Sequence, residues 1–336
     1  MAASGLGQRT DRPSVYWRCL LCMFVWEAAS RTDTRTGATT ATAVATTTDT
    51  TNNKRNPTKI EYGVDVSFPM HHPLHRSNGM GLHPILPDRA EFYDSYLRGC
   101  KDTFGNVCLE NEEQRMAMNR DQPRSMWNFT SAGYAKVKAP SRLYRQLKQY
   151  WELHHHNERI REEWSEGSTY VNHWAVDTHM VRIPSTTDTD DIVSEQKIID
   201  SVQPVLEAWT GISGSNPRSP SSSWSSLVPT SVYGIREYHN NSVLAPHVDR
   251  LPLVCSVIIN VAQSVDEPWP LELVGHDGNA INITMKPGDM VLYESHSVIH
   301  GRPFPLNGKF FANVFVHFEP NGYTTRHTEH IGSIHP

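Results

Sequence analysis

The sequence predicts a mainly β sandwich or barrel buttressed by α-helices, and two observations carry that reading. From Val228 onward, short apolar runs are broken at close intervals by Pro, Gly, Asn and Asp, the rhythm of an all-β sandwich or barrel. Ahead of it, several stretches place apolar side chains at helical spacing, and such helices would pack on the outside of the β-structure.

Taken in order, residues 1–30 read as a signal peptide or signal anchor. Arg9 and Arg12 precede the apolar run Cys19–Trp26, and Ala28, Ala29 and Ser30 follow it. That run is shorter than the roughly 20 residues a membrane span needs, so no stable span is expected beyond such an anchor. A leader of this kind implies the secretory pathway: the lumen of the endoplasmic reticulum or Golgi, or secretion. An organellar transit peptide is the other targeting reading, because the next stretch is rich in Arg and Thr. Residues 31–59 are dominated by Thr and hold too little apolar surface to offset chain entropy, so they read as a flexible linker. Residues 60–227 read as a buttressing region with some barrel strands, 228–320 as the β-rich core, and 321–336 as a tail.

Within the buttressing region, residues 88–100 and 110–119 have helical spacing. Pro140 and Ser141 open a stronger helix, with Ser141 as its N-cap and Leu143, Leu147, Tyr150, Trp151 and His154 along its apolar face. His154, His155 and His156 are adjacent, so on a regular helix they point about 100° apart and do not face one ion. Residues 169–183 read as strand, and a helix over about 191–209 carries Ile192, Ile199, Val202, Leu206 and Trp209. Ser, Gly and Pro crowd residues 211–226, which marks a loop.

Composition narrows the function classes. With 336 residues, 38% of them hydrophobic, the chain can build a sizeable core, and its net charge of −5 lacks the basic surplus of a nucleic-acid binder. Cys100 and Cys108 are spaced to close a small disulfide loop, whereas Cys255 sits in an apolar run as a buried thiol. Asn128, Asn240 and Asn282 head glycosylation sequons, a number near chance for this length.

The chemistry centres on Pro246-His247-Val248-Asp249-Arg250. In a strand, residues i and i+2 share a face, so His247 and Asp249 can meet one metal ion while Val248 points away. Two histidines and a carboxylate suit iron(II) and leave coordination positions open. The third ligand is His300 or, four residues earlier, His296; spacing does not separate them. A buried carboxylate of a 2-oxo acid bound in those open positions needs a cation. Lys309, at the head of the aromatic run Phe310–Phe318, is placed to supply it, and Tyr238 to add a hydroxyl. A lone His-x-Asp is weak, and the same ligand set also binds zinc. The ordered set from Tyr238 to Lys309 points beyond either.

On those motifs, residues 231–319 resemble the catalytic domain of the prolyl 4-hydroxylase family of iron(II)/2-oxoglutarate dioxygenases, in a form similar to algal and protist members. The resemblance implies a double-stranded β-helix, or jelly roll, with metal ligands His247, Asp249 and His300. It implies 2-oxoglutarate as co-substrate held by Lys309 and Tyr238, ascorbate as reductant, dioxygen, and a proline-containing peptide as substrate. The segment Gly301–Lys309 after the second ligand is what favours His300 over His296. Two departures touch the pocket: Leu244 stands where many members have a second Tyr, and Lys309 comes one residue early. Trp127, Trp174 and Trp269 are candidates to line a peptide groove, and Arg250 and Arg302 adjoin ligands. Hydroxylation of a small molecule or another side chain, and a non-catalytic jelly-roll module, are the competing readings.

Overall fold

The computed structural model describes residue 68 and residues 87–185, 192–212, 224–278 and 280–324. The expected leader (1–30) and Thr-rich linker (31–59) lie outside the described residues, as do 213–223 of the expected loop and the tail beyond residue 324. Among the described residues four helices, α1 (Pro87–Phe104), α2 (Val107–Ser125), α3 (Ser141–His154) and α4 (Glu195–Thr210), accompany eleven strands. The strands are β1 (Tyr134–Lys138), β2 (Arg159–Arg161), β3 (His179–Val181), β4 (Leu227–His239), β5 (Leu244–His247), β6 (Cys255–Val265), β7 (Leu271–Val274), β8 (Ala280–Ile283), β9 (Asp289–Tyr293), β10 (Ile299–Arg302) and β11 (Gly308–Pro320).

All strand pairings are antiparallel. One sheet runs β1-β9-β6-β11-β4-β3-β2, the other β5-β10-β7-β8. Their inner faces share one apolar cluster: Tyr238, Ile258, Tyr293, Phe311 and Phe315 from the large sheet meet Leu271, Leu273 and Ile283 from the small one. This is the jelly roll. The outer face of the large sheet carries α3 and α4. Alternation along β6 and β11 sends Ile258, Phe311 and Phe315 inward and Val257, Ile259, Val314 and Val316 outward to the helices. Both strands are therefore buried on both faces along most of their length, which is why they read as mainly apolar runs.

The helices follow the same logic. On α3, Leu143, Leu147, Tyr150 and Trp151 are buried against the sheet at i, i+4, i+7 and i+8. Its cap is Pro140, and Ser141 is the first helical residue with no capping bond. On α4, Ser194 caps Lys197 N–H at 3.3 Å, and Gly211 ends the helix with φ +70°. Ile198, Val202 and Leu206 form its buried stripe, with Ile199 and Trp209 only partly buried beside it. The expected strand over 169–183 shrinks to β3, with Val171 making a lone bridge to Leu244. Asn172 breaks it: its carbonyl accepts from Ala175 N and Val176 N, closing a turn, and its side chain binds Asn241 O and Val243 N. Cys100 and Cys108 form a disulfide that joins α1 to α2, their Cα atoms 6.0 Å apart, and Cys255 is a buried free thiol. At the end of α3, His154 pairs with Glu158 and His155 stacks on Trp151. Among the described residues no helix is long and apolar enough to cross a membrane.

Asp289 locks β1 to β9. Its carboxylate takes Lys138, Lys136 at 2.9 Å and the Lys286 N–H at 2.9 Å. Burial alone would raise this carboxyl, but those donors outweigh it and hold it at about 2 instead of 3.8. A depressed pKa contributes stability that is present above the unfolded value, about 3.9, and is lost as pH falls through the folded one. Asp289→Asn is accordingly expected to lower unfolding free energy at neutral pH. The gap to wild type should persist down to about pH 4 and close by about pH 2 in urea titrations. A gap independent of pH would show that the carboxylate charge is not what stabilises this pair.

Candidate metal centre

The site is built where the small sheet brings two distant strands edge to edge. His300 of β10 is the direct cross-strand partner of His247 at the end of β5, and their ring centroids lie 4.4 Å apart. Close approach is possible because residue 301 is glycine: a Cβ there would sit 2.8 Å from Leu244 O and Pro246 Cα. Asp249 stands just past the end of β5, held by its N–H to Ser295 O at 2.8 Å. Its Oδ1 lies 3.6 Å from His247 Nε2 and 3.9 Å from His300 Nε2. One donor atom from each of the three falls within 4.8 Å of the others, the one such group of His, Cys, Asp and Glu among the described residues.

The donor atoms are in the right protonation states for a metal. His247 Nδ1 lies 2.8 Å from Ala245 O, and His300 Nδ1 lies 2.9 Å from Val298 O. A carbonyl only accepts, so each Nδ1 carries the proton and each Nε2 presents its lone pair to the site. Burial, then the neighbouring His247, pushes the His300 imidazole down to about 3, so it stays neutral. Burial works to raise the Asp249 carboxyl. The nearby His247, His300 and His317 outweigh it and hold the carboxyl well below the usual range. Three such ligands fit a divalent ion and leave positions open for other oxygen ligands.

His317, on β11, is a member of the site that the sequence reading passed over. Its Nδ1 is 3.6 Å from Asp249 Oδ2 and 2.6 Å from Ser256 Oγ. Ser295 Oγ donates to Leu253 O at 3.0 Å, so Ser256, 2.6 Å away, donates to Ser295 and accepts from His317. That relay fixes His317 as an Nδ1–H donor beside Asp249. Tyr170 was also missed; its ring meets His247 edge-on at 5.2 Å. His296, the competing ligand, is turned away: it hydrogen-bonds Tyr323 at 3.1 Å and stacks on Phe129.

The expected cation is in a different place. Lys309 is exposed at the start of β11, where the strand leaves the barrel. A cation fully buried inside the barrel is Arg302, on the same strand as His300 and two residues beyond it. It is fully buried, between the rings of Trp269 and Phe311 at 4.9 and 4.8 Å. Its polar contacts are long ones, Nε to Trp269 O at 3.4 Å and Nη2 to Met285 Sδ at 3.6 Å. Nη1 has no hydrogen-bond partner among the described residues, and the buried Tyr238 hydroxyl faces the Arg236 guanidinium as well as this one. Burial pushes the guanidinium down to about 10, with Tyr238 and Tyr293 acting against it. Of the tryptophans, Trp269 lines this interior, Trp174 packs on Tyr96, and Trp127 is 41% exposed.

No protein-family model and no curated protein matches the sequence. Solved structures do resemble the fold. A Pseudomonas putida prolyl-4-hydroxylase aligns at 12% identity and TM-score 0.40, over 56% of this chain and 94% of its own. A Trichoplax adhaerens prolyl hydroxylase, in complex with a peptide fragment of the hypoxia inducible factor oxygen degradation domain, aligns at 10% and 0.38, over 62% and 92%. HygX from Streptomyces hygroscopicus, with nickel and 2-oxoglutarate bound, aligns at 10% and 0.38, over 57% and 84%.

Proposed function

We propose that this chain is an iron(II)- and 2-oxoglutarate-dependent oxygenase. The observation that carries the reading is Arg302. A guanidinium buried without an anion is costly, and here it shares a strand with a ligand of a three-residue metal site. A small dianion that chelates the metal at one end and meets Arg302 at the other satisfies both. A hydrolytic zinc site has no use for such a cation.

In this reading His247, Asp249 and His300 hold iron(II), and His317 orients Asp249. Arg302 binds the distal carboxylate of 2-oxoglutarate, the Tyr238 hydroxyl adds a hydrogen bond, and Trp269, Phe311 and Leu273 keep water from that end. Bound iron supplies the redox chemistry by which substrate, dioxygen and 2-oxoglutarate become hydroxylated substrate, succinate and carbon dioxide. Tyr170, beside His247, stands at the substrate side. The resemblance of residues 231–319 favours a proline-containing peptide as substrate and ascorbate as reductant. The Cys100–Cys108 disulfide supports an oxidising, secretory compartment.

The test is to incubate purified protein with iron(II), labelled 2-oxoglutarate and a proline-rich peptide library, following succinate and a mass gain of one oxygen. Both are expected. Succinate without peptide oxidation would retain the oxygenase and remove proline. No succinate from folded protein would remove the oxygenase.

A further inference from the structure

The ligand strand β5 is the edge of its sheet; Val171 bridges its first residue, Leu244, and from Pro246 onward a helix face covers that edge. Arg115, Asn119 and Gln122 stand at i, i+4 and i+7 on α2, one stripe of the helix. The Asn119 amide donates to Pro246 O at 2.7 Å and accepts from Val248 N at 3.0 Å. It thus pairs with the two backbone groups flanking His247, as a neighbouring strand would. Arg115 donates to the same Pro246 carbonyl, and its charge is balanced by the buried Glu112, which also takes Tyr93. Gln122 grips Asp249 O at 2.7 Å and His296 O at 2.8 Å. Arg115 and Asn119 are each only 1% exposed, so these bonds form away from competing water.

We infer that this stripe of α2 positions the metal ligands: Asn119 above all, with Arg115 and Gln122, sets the backbone of His247-Val248-Asp249 so that both side chains address one ion. The segment Tyr170–Val171 pairs with that edge only at Leu244 and Ala245, short of the ligands. His247 is tied to β10 on its other side and Asp249 N–H to Ser295 O, so the helix is what holds the backbone between them, at Pro246 O and Val248 N. The inference rests on the metal reading above and concerns residues that touch neither metal nor substrate.

The test uses the full chain and measures binding of cobalt(II), with its visible absorption as the report on coordination, alongside thermal unfolding of the metal-free protein. Asn119→Leu keeps the side-chain volume and removes both bonds. It is expected to weaken cobalt(II) binding about 10–100-fold and to alter the absorption bands, the scale seen for partners that orient ligands. A merely structural helix contact would lower the melting temperature and leave the dissociation constant and spectrum of the folded fraction unchanged; that result overturns the inference. If Asn119→Leu does not fold, Gln122→Leu carries the same test. Several-fold weaker binding supports the inference, and unchanged binding overturns it. A wild-type protein that binds no metal would sink the metal reading and this inference together, whereas equal binding by wild type and variant sinks only this one.

Discussion

His300→Ala is expected to reduce turnover below about 1% of wild type, while His296→Ala retains most of it. Partners that merely orient a ligand are worth about 10–100-fold in metal affinity or activity, so loss of a ligand itself exceeds that. His300 Nε2 faces Asp249 Oδ1 with its lone pair outward, and no other imidazole can take its place across β5. His296 is as deeply buried, but its partners are Tyr323 and Phe129. Its replacement removes one of the hydrogen bonds of the Tyr323 hydroxyl, a stability cost on the order of 0.5–1.5 kcal/mol, with little effect on the metal. Steady-state succinate formation and cobalt(II) binding, each corrected for folded fraction, decide between them. The reverse pattern would move the third ligand to His296.

Arg302→Met should separate binding from stability. A buried ion meeting a carboxylate is worth about 2–5 kcal/mol when one partner is removed, so affinity for 2-oxoglutarate should fall on the order of 100-fold or more. The metal-free variant should melt at the same temperature as wild type or higher, because an unpaired buried charge has been exchanged for an apolar chain that fits beside Met285, Trp269 and Phe311. Lys309→Ala should change neither quantity by more than about two-fold, as expected for an exposed side chain. Calorimetric titration of 2-oxoglutarate into the metal-loaded proteins checks this. If Lys309→Ala loses binding and Arg302→Met does not, the cation has been misassigned.

These two predictions also mark where the sequence was legible. His247 and Asp249 are two residues apart, and local backbone geometry brings them together. The strand spacing that pairs them applies equally to His300 and Arg302, yet Lys309 drew attention because it heads an aromatic strand. What excludes it is the barrel's rim, which only the folded chain defines. His317 shares the inward parity of Phe311 and Phe315, a signal readable in β11 once its register is known. The β6 and β11 runs were plain because burial on both faces leaves few polar positions, Ser256, Asn260, Asn313 and His317 among them. The expected strand over 169–183 was not, since the turn at Asn172 is anchored by side-chain bonds to residues about 70 positions away. The grip of α2 on β5 was invisible for the same reason: a polar helical stripe reads as solvated until the edge it covers is in place.

The pairing of β11 has a consequence for how the chain is made. This strand lies between β4 and β6, its last residue, Pro320, pairing with Leu227 and its first, Gly308, with Val265. Synthesis therefore delivers both neighbours long before the strand that separates them. Until it arrives, β4 and β6 each expose an unpaired edge beside apolar faces, the surface most open to wrong partners. The late arrival also means that the His317 relay behind Asp249 is completed last, so the nascent chain assembles its jelly roll and finishes its metal centre in one closing event.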